Sequence, residues 1–160
     1  RQRPLPPSFS GATTDMQDLL VHPLVGPFWQ GAAEHRLCIT CCSTCARDIW
    51  YPTDTCSACG GGPQWRSLRG TGRLLAWTVV RRNLGGSLPA PYVTGLVRPD
   101  DAPGVNLVSL LGVPPDVSLS CDLPVEVHFE TVQPLLGDPF MAPVFYLAGR
   151  DVGEVSNADP

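Results

Sequence analysis

The sequence predicts a mainly β protein, with short N-terminal helices, a cysteine-rich ribbon and then a five-stranded barrel. Six of the seven cysteines fall within 22 positions, between Cys38 and Cys59. Downstream of them, runs of β-branched and aromatic residues alternate with glycines and prolines. Gly and Pro together make up about a fifth of the 160 residues, a proportion that favours turns and short strands over long helices.

The chain begins with a Pro-rich stretch, RQRPLPPSF, which has no apolar core of a signal peptide. We therefore predict a leader or linker over residues 1–14. Because the first residue is not Met, we expect the chain to be a segment of a longer polypeptide.

Residues 15–37 predict two short helices, Asp15–Leu20 and Pro27–Arg36, and proline suits the first position of the second one. Phe28 and Trp29 supply apolar bulk at its head. Such a pair packs on its own domain or fills a groove in a partner, so both are candidate docking residues.

The cysteine spacing over residues 38–65 is typical of a zinc ribbon. With no secretory signal and an odd number of cysteines, metal ligation is favoured over a disulfide framework. A tetrahedral zinc ion takes four thiolates, so two C-x-x-C pairs suffice. Three pairs are available: Cys38/Cys41, Cys42/Cys45 and Cys56/Cys59.

The residues enclosed by each C-x-x-C pair indicate which two of the three pairs bind the zinc ion. Ile39 and Thr40 are β-branched and favour a strand, whereas the other two pairs enclose small residues, and Gly60 follows the last pair. Four thiolates would fill the coordination sphere of a zinc ion, so we predict a structural zinc that takes no part in catalysis. Cys41 lies next to Cys42 and is an alternative ligand. A redox-active C-x-x-C pair is the competing interpretation. The predicted ligands are Cys42, Cys45, Cys56 and Cys59.

Residues 66–148 predict the barrel, followed by a tail over residues 149–160. In the fourth predicted strand, Val125, Val127 and Phe129 alternate with polar residues, which indicates one wet face. Five strands over about 80 residues leave no room for crossover helices, so we expect an antiparallel barrel of the OB type. The predicted strands are Leu74–Arg82, Tyr92–Arg98, Val105–Leu111, Val125–Val132 and Val144–Ala148.

Charge is unevenly distributed along the chain. Residues 1–98 hold ten arginines and five acids, whereas residues 99–160 hold one arginine and ten acids. These 160 residues contain no lysine, which excludes Schiff-base and P-loop lysine chemistry within them. Five arginines lie in the carboxylate-free stretch 55–97 and are either solvated strand ends or contacts for CoA phosphates or an acidic partner. They are Arg66, Arg69, Arg73, Arg81 and Arg82.

Catalysis within this chain has little support from sequence motifs. There is no G-x-S-x-G elbow and no H-E-x-x-H, and we interpret His35 and His128 as structural or surface residues. Cys121 lies beside Asp122, which disfavours its thiolate, so we expect an inert thiol. No run of about 18 apolar residues exists, so we expect no membrane span and a cytoplasmic protein.

Five motifs between Pro27 and Ala148 occur in a specific order and spacing. They are F-W-Q-G-A-A-E-H-R-L at Phe28–Leu37, C-x-x-C…Y-P…C-x-x-C-G at Cys42–Gly60, G-x-G…W-T-V-V at Gly70–Val80, P-A-P-Y-V at Pro89–Val93 and L-P-V-E-V-x-F-E at Leu123–Glu130. In these motifs the chain resembles the acyl-CoA-associated proteins that join a rubredoxin-like zinc ribbon to an OB-fold. It departs from them at Ala46 and Asp122, where glycine is usual.

The resemblance implies an accessory function. Members of that family are subunits or fused domains that bind thiolase-fold enzymes acting on acyl-CoA. In one branch the partner is a retro-aldolase of steroid side-chain breakdown, and the domain is fused to a hot-dog-fold enoyl-CoA hydratase. We therefore expect a non-catalytic partner of a thiolase-like lyase or transferase, with a CoA thioester as ligand of the complex.

Two other function classes remain open from the sequence. A single-stranded nucleic-acid-binding protein is compatible with a zinc ribbon and an OB-fold, but a net charge of −4 opposes binding to phosphate backbones. A self-sufficient acyl-CoA enzyme would have to use Cys121 or a histidine.

Overall fold

The computed structural model describes residues 16–83 and 88–149, with residues 16–18 described by their backbone alone. The predicted leader, residues 1–14, lies outside these ranges, as does the predicted tail beyond Gly149. Among the described residues, the helices are too short to cross a lipid bilayer.

Two short helices precede the ribbon: α1 spans Met16–Val21 and α2 spans Gly26–Ala33. The predicted extension of α2 to Arg36 was wrong. His35 takes a φ of 57°, and the amide of Arg36 donates to the carbonyl of Gly31 at 2.7 Å, which closes the helix and reverses the chain.

Three strands form the ribbon sheet, in the order β2-β1-β3 with both neighbouring pairs antiparallel. β1 is the strand that its β-branched residues predict, and it is buried along its whole length. The strands are β1 Cys38–Cys42, β2 Asp48–Ile49 and β3 Pro63–Ser67.

Five further strands close a barrel in the order β4-β5-β6-β8-β7. All neighbours are antiparallel except β6 and β8, which are parallel. This is the OB arrangement, so the predicted fold class is confirmed. The strands are β4 Thr71–Val80, β5 Tyr92–Pro99, β6 Leu107–Leu111, β7 Pro124–Val132 and β8 Phe140–Leu147.

Three barrel strands have bounds that differ from the prediction by two residues or more. β4 is Thr71–Val80 where Leu74–Arg82 was predicted, because it begins with the residues that pair with β7. β6 begins after Val105, because the amide of Val105 donates to the Ala102 carbonyl at 3.1 Å in a turn. β8 begins before the predicted Val144 and includes Pro143. The Pro143 carbonyl accepts a hydrogen bond from Ser109 of β6, so the nitrogen of Pro143, which carries no hydrogen, also faces β6. The backbone pairing of β8 with β6 begins only at Val144, so no ladder hydrogen bond is lost at the proline.

The ribbon and the barrel share one hydrophobic core. Leu37 and Ile39 at the start of the ribbon pack with Leu74, Val97 and Phe145 of the barrel, and all five are buried. This shared core fixes the position of the ribbon on the barrel.

Candidate functional site

Four cysteines bring their sulfur atoms together in the ribbon. All four Sγ atoms lie within 4.8 Å of one another, and they belong to Cys42, Cys45, Cys56 and Cys59. The Sγ atoms of Cys42 and Cys59 are 3.4 Å apart, and those of Cys45 and Cys56 are 3.8 Å apart. A zinc–sulfur tetrahedron with bonds of about 2.3 Å has edges of about 3.8 Å, so this donor set fits a zinc ion.

The two C-x-x-C turns repeat one backbone pattern. The amide of Cys42 donates to the carbonyl of Arg47 at 2.8 Å, and the amide of Ala46 donates to the carbonyl of Cys42 at 3.0 Å. In the second turn the amide of Gly60 donates to the carbonyl of Cys56 at 2.8 Å. Ala46 therefore occupies in the first turn the position that Gly60 occupies in the second.

Backbone amides within the turns favour the thiolate form of two cysteines. The amides of Cys45 and Thr44 donate to Cys42 Sγ at 3.5 and 3.4 Å, and they lower the pKa of the Cys42 thiol to about 6. The amides of Ala58 and Cys59 likewise lower the pKa of Cys56. Thiolate is the form that binds zinc.

Cys38 and Cys41 are not part of the four-sulfur cluster. Cys41 precedes Cys42 on β1, and successive side chains of a strand point to opposite faces. The Cys41 sulfur accepts a hydrogen bond from Gln64 at 3.5 Å, and the Cys38 sulfur lies 3.6 Å from Ser67 Oγ.

The five arginines predicted as ligand contacts fall into two groups. Arg66 donates to both carboxylate oxygens of Asp48, at 2.8 and 2.9 Å, and to the backbone carbonyl of Asp101 at 2.9 Å. It therefore joins two ribbon strands to the barrel. The other four have exposed side chains, and their contact with phosphates or a partner stays a prediction; they are Arg69, Arg73, Arg81 and Arg82.

Strand pairing adds an arginine that the sequence analysis missed. Arg98 on β5 is exposed and lies directly across from Arg73 on β4. The two arginines are brought together by the register of β4 against β5, and neither sequence segment reveals that register by itself.

An apolar groove of about 630 Å³ lies between the helices, the ribbon and the outer face of the barrel. No charged side chain lines it, and its polar side chains are Thr94 and Ser109 besides the tyrosine and tryptophan groups. Six aromatic rings form much of its wall: Phe28, Trp29, Trp50, Tyr51, Tyr92 and Phe140.

The candidate docking residues Phe28 and Trp29 are half-buried and belong to this wall. Their rings are 5.0 Å apart, edge to face, and they lie 5.2 Å from Trp50 and 5.5 Å from Phe140, respectively. Of the two readings given above, packing on their own domain is observed. A role in docking stays a prediction.

Exposed apolar side chains mark the groove as accessible. Tyr51 is 65% exposed and Val108 is 61% exposed. Contiguous exposed apolar surface of this kind is typical of interaction sites. No sequence pattern predicts the groove, because its walls come from both helices, the ribbon and four barrel strands that are distant in the chain.

A second, polar cavity of about 560 Å³ separates the end of α2 from β7. It is lined in part by His35 and His128. The ring of His35 stacks on Phe129 with centroids 5.6 Å apart, and His128 Nε2 lies 3.6 Å from Glu126. His35 therefore packs on the barrel, and the His128 side chain is 36% exposed on β7.

Two further titratable side chains of the barrel are Tyr146 and Cys121. The Tyr146 hydroxyl donates to Glu130, and burial together with that carboxylate raises the pKa of Tyr146 to about 12. The exposed Cys121 thiol donates to the Leu75 carbonyl at 3.1 Å. Within residues 16–83 and 88–149, Cys121 has no hydrogen bond to a histidine or carboxylate that would activate it.

Residues 65–130 match the protein family described as ChsH2, C-terminal OB-fold domain. Among curated proteins, none matches the chain at a significant level. A solved structure, the Ltp2-ChsH2 (DUF35) aldolase, contains a chain with 25% identity and a TM-score of 0.68; the match covers 80% of this chain and 97% of that one.

A second solved structure is a DUF35-family protein of unknown function from Sulfolobus solfataricus. It is 14% identical, has a TM-score of 0.51, and the match covers 78% of this chain and 85% of that one. At this identity the likeness shows the fold alone. Together with the ribbon geometry, these matches confirm the resemblance: the chain is similar to the zinc-ribbon plus OB-fold proteins of the DUF35 family, and its barrel matches the OB-fold domain of ChsH2.

Proposed function

We propose that this chain is a non-catalytic accessory subunit or domain of an aldolase complex. The observation that carries the proposal is the match to a chain of the Ltp2-ChsH2 (DUF35) aldolase, which extends over 97% of that chain. A likeness of this extent includes both the ribbon and the barrel, so the shared unit is the whole arrangement and not the barrel alone.

The enzyme partner is, in this proposal, a thiolase-fold protein that cleaves or transfers acyl groups held as CoA thioesters. Retro-aldol cleavage in steroid side-chain breakdown is one reaction of this class, and a hot-dog-fold hydratase is a candidate further component. The Cys121 thiol donates to a backbone carbonyl and not to a base, and His35 stacks on Phe129; both contacts support leaving the bond cleavage to the partner.

The ribbon would hold one structural zinc ion through Cys42, Cys45, Cys56 and Cys59. Four thiolates leave no open position for substrate or water, so the ion would stabilise the ribbon and take no part in catalysis. A stable ribbon in turn supports Trp50 and Tyr51, which form part of the apolar groove.

The apolar groove is the proposed contact face for the enzyme. Tyr51 and Val108 are mostly exposed and no charged side chain lines the groove, so covering it would remove apolar surface from water at little polar cost. Each buried Å² of such surface contributes about 25 cal/mol to association before the costs of ordering.

Co-expression tests this proposal. The tagged chain is purified from cells that also produce its candidate thiolase-fold enzyme, the co-purifying protein is identified by mass spectrometry, and the complex is measured by light scattering. We expect a stable hetero-oligomer. Val108→Glu places a charge in the groove and should weaken the complex at least tenfold, about 1.4 kcal/mol. Leu136→Glu, at a residue that is 58% exposed and outside the groove, is the matched control and should bind normally.

A further inference from the structure

The second half of β4 has a strand partner on one side only. β4 pairs with β5 over Gly72–Val80 but with β7 only over Thr71–Arg73. Leu74 then exchanges hydrogen bonds with the segment just before β7, including one from its amide to the Leu123 carbonyl at 3.0 Å. Over Ala76–Val80, no strand of the described residues pairs with the side of β4 that faces away from β5.

This free edge lacks the usual protection against strand addition. Its sequence, A-W-T-V-V, contains no charge and no proline, and four of its five residues have a strong preference for strands. Ala76, Trp77 and Thr78 are all exposed. Natural proteins generally shield such edges with charges, prolines or bulges, and here the bulge lies before the edge, between Leu74 and Ala76.

The free edge continues into the apolar groove. On one face of the sheet, Thr78 lies across from Thr94, which lies across from Leu110; in the next row, Ala76 and Leu96 lead to Val108. The three residues at which these rows enter the groove are Thr94, Leu110 and Val108. A strand added to β4 would therefore extend a face that already ends in the proposed contact surface.

Positive charge flanks the free edge at both ends. Arg81 and Arg82 follow it directly and are exposed, and Arg73 precedes it with another arginine, Arg98, across from it on β5. The Arg73 end also holds one carboxylate, because the exposed Asp122 lies against β4, where its amide donates to the Leu74 carbonyl at 2.8 Å and its carbonyl accepts from Arg73 at 3.2 Å. Arg81 and Arg82 have no carboxylate near them in sequence, because none occurs between residues 55 and 97. A second copy of this chain would bring the same arginines, so charge complementarity favours a different protein with acidic residues beside its strand.

We propose that Ala76–Val80 is a strand-addition site, at which an extended segment of the partner protein with carboxylates near its ends pairs with β4. Main-chain hydrogen bonds would supply the affinity, and alternate side chains resting on the face that leads to the groove would supply the specificity. The inference rests on the proposed function for the identity of the partner, but the site itself can be tested without it.

The test measures amide chemical shifts and hydrogen exchange of the full chain by NMR, with a synthetic peptide of alternating Thr and Val and a pair of glutamates at each end. We expect saturable shifts confined to Ala76–Val80 and its neighbours, and exchange of the edge amides slowed about tenfold. Arg81→Glu should weaken binding roughly fivefold. Arg47→Glu, the same charge change at an exposed ribbon residue, should leave it unchanged.

The same exchange measurement on the co-purified complex separates the two proposals. Slower exchange at Ala76–Val80 in the complex supports strand addition by the enzyme. A peptide that binds this edge while no enzyme complex forms would refute the proposed function and leave the strand-addition site standing. Strand addition by a partner is overturned if the acidic peptide leaves the edge amides unaffected, or if the complex forms while the exchange of these amides is unchanged. It is also overturned if sedimentation shows that this chain dimerises through the edge in a concentration-dependent way.

Discussion

Ala46 and Gly60 occupy equivalent positions, each directly after a C-x-x-C turn, and both adopt a left-handed backbone, with φ of 57° and 72°. Glycine adopts this conformation freely, whereas alanine pays for contact between its Cβ and the backbone. The first turn is therefore strained at Ala46 and the second is not. Asp122, the other departure from the glycines of the resembled family, is also left-handed, with φ of 64°.

Ala46→Gly is expected to stabilise the protein. Relief of the left-handed strain, about 1–2 kcal/mol, exceeds the entropy that glycine adds to the unfolded chain, about 0.4–1 kcal/mol. The net gain should be about 0.5–1 kcal/mol in the free energy of unfolding, measured by urea denaturation of the zinc-loaded protein. A loss of stability in this variant would mean that Ala46 is not strained.

The converse change at Gly60 isolates the backbone effect. A Cβ at Gly60 or at Gly62 would meet no atom within 4 Å, but only Gly60 has a positive φ. Gly60→Ala should therefore cost about 1 kcal/mol in the free energy of unfolding, whereas Gly62→Ala should be neutral or slightly stabilising. Equal effects at the two positions would contradict the explanation by φ.

Zinc content is expected to follow the four clustered thiols. The wild-type chain should contain one zinc ion per molecule by elemental analysis, and Cys59→Ser should lose it, together with about 3 kcal/mol or more of stability. Cys41→Ser and Cys121→Ser are the matched controls and should retain the metal, because neither sulfur belongs to the cluster. Loss of zinc in Cys41→Ser would show that the ligand set is assigned wrongly.

The Arg66–Asp48 pair is expected to stabilise the ribbon, and Arg66 also links the ribbon to the barrel through the Asp101 carbonyl. Their side chains are 31% and 17% exposed, so the pair is partly shielded from water. Arg66→Met should lower the free energy of unfolding by about 1–2 kcal/mol, and a double-mutant cycle with Asp48→Asn should give a coupling of about 1 kcal/mol. Arg47→Met, at an exposed residue, should change stability by less than about 0.5 kcal/mol. Zero coupling would return Arg66 to the group of arginines available for a ligand.

Tyr146 is expected to make stability fall at alkaline pH. Its pKa is raised from 10.0 to about 12, chiefly because burial disfavours the phenolate and further because of Glu130. As the pH rises from about 10 to about 12, the unfolded chain loses this proton before the folded chain does, so the contribution is complete below pH 10 and is lost above it. Urea denaturation at several pH values should show a shallower alkaline decline in Tyr146→Phe than in the wild type. An unchanged slope in Tyr146→Phe would contradict the assignment.

Local sequence chemistry predicted much of the fold. The β-branched Ile39 and Thr40 predicted β1, the alternation around Val125 predicted β7, and the cysteine spacing predicted the four-sulfur cluster. In each of these cases the deciding property lies within a few consecutive residues. The end of α2 was missed because the left-handed turn at His35 depends on packing against Phe129 of the distant strand β7.

Local sequence patterns could not predict the two surfaces on which the functional proposals rest. The groove joins Phe28, Trp50 and Val108 from three separate elements, and the free edge of β4 follows from how far β7 pairs along it. Both depend on strand register, which is set by the tertiary structure. The early start of β8 was hidden for a similar reason, since Pro143 is tolerated only because β6 offers no ladder partner there.

An accessory role is tested by comparing cleavage of an acyl-CoA aldol by the co-purified enzyme alone, by this chain alone and by the two together. We expect the two proteins to elute as one hetero-oligomer, turnover by the enzyme to depend on this chain, and the chain alone to show none. Enzyme-like turnover by the isolated chain, or full activity of the enzyme without it, would contradict an accessory role.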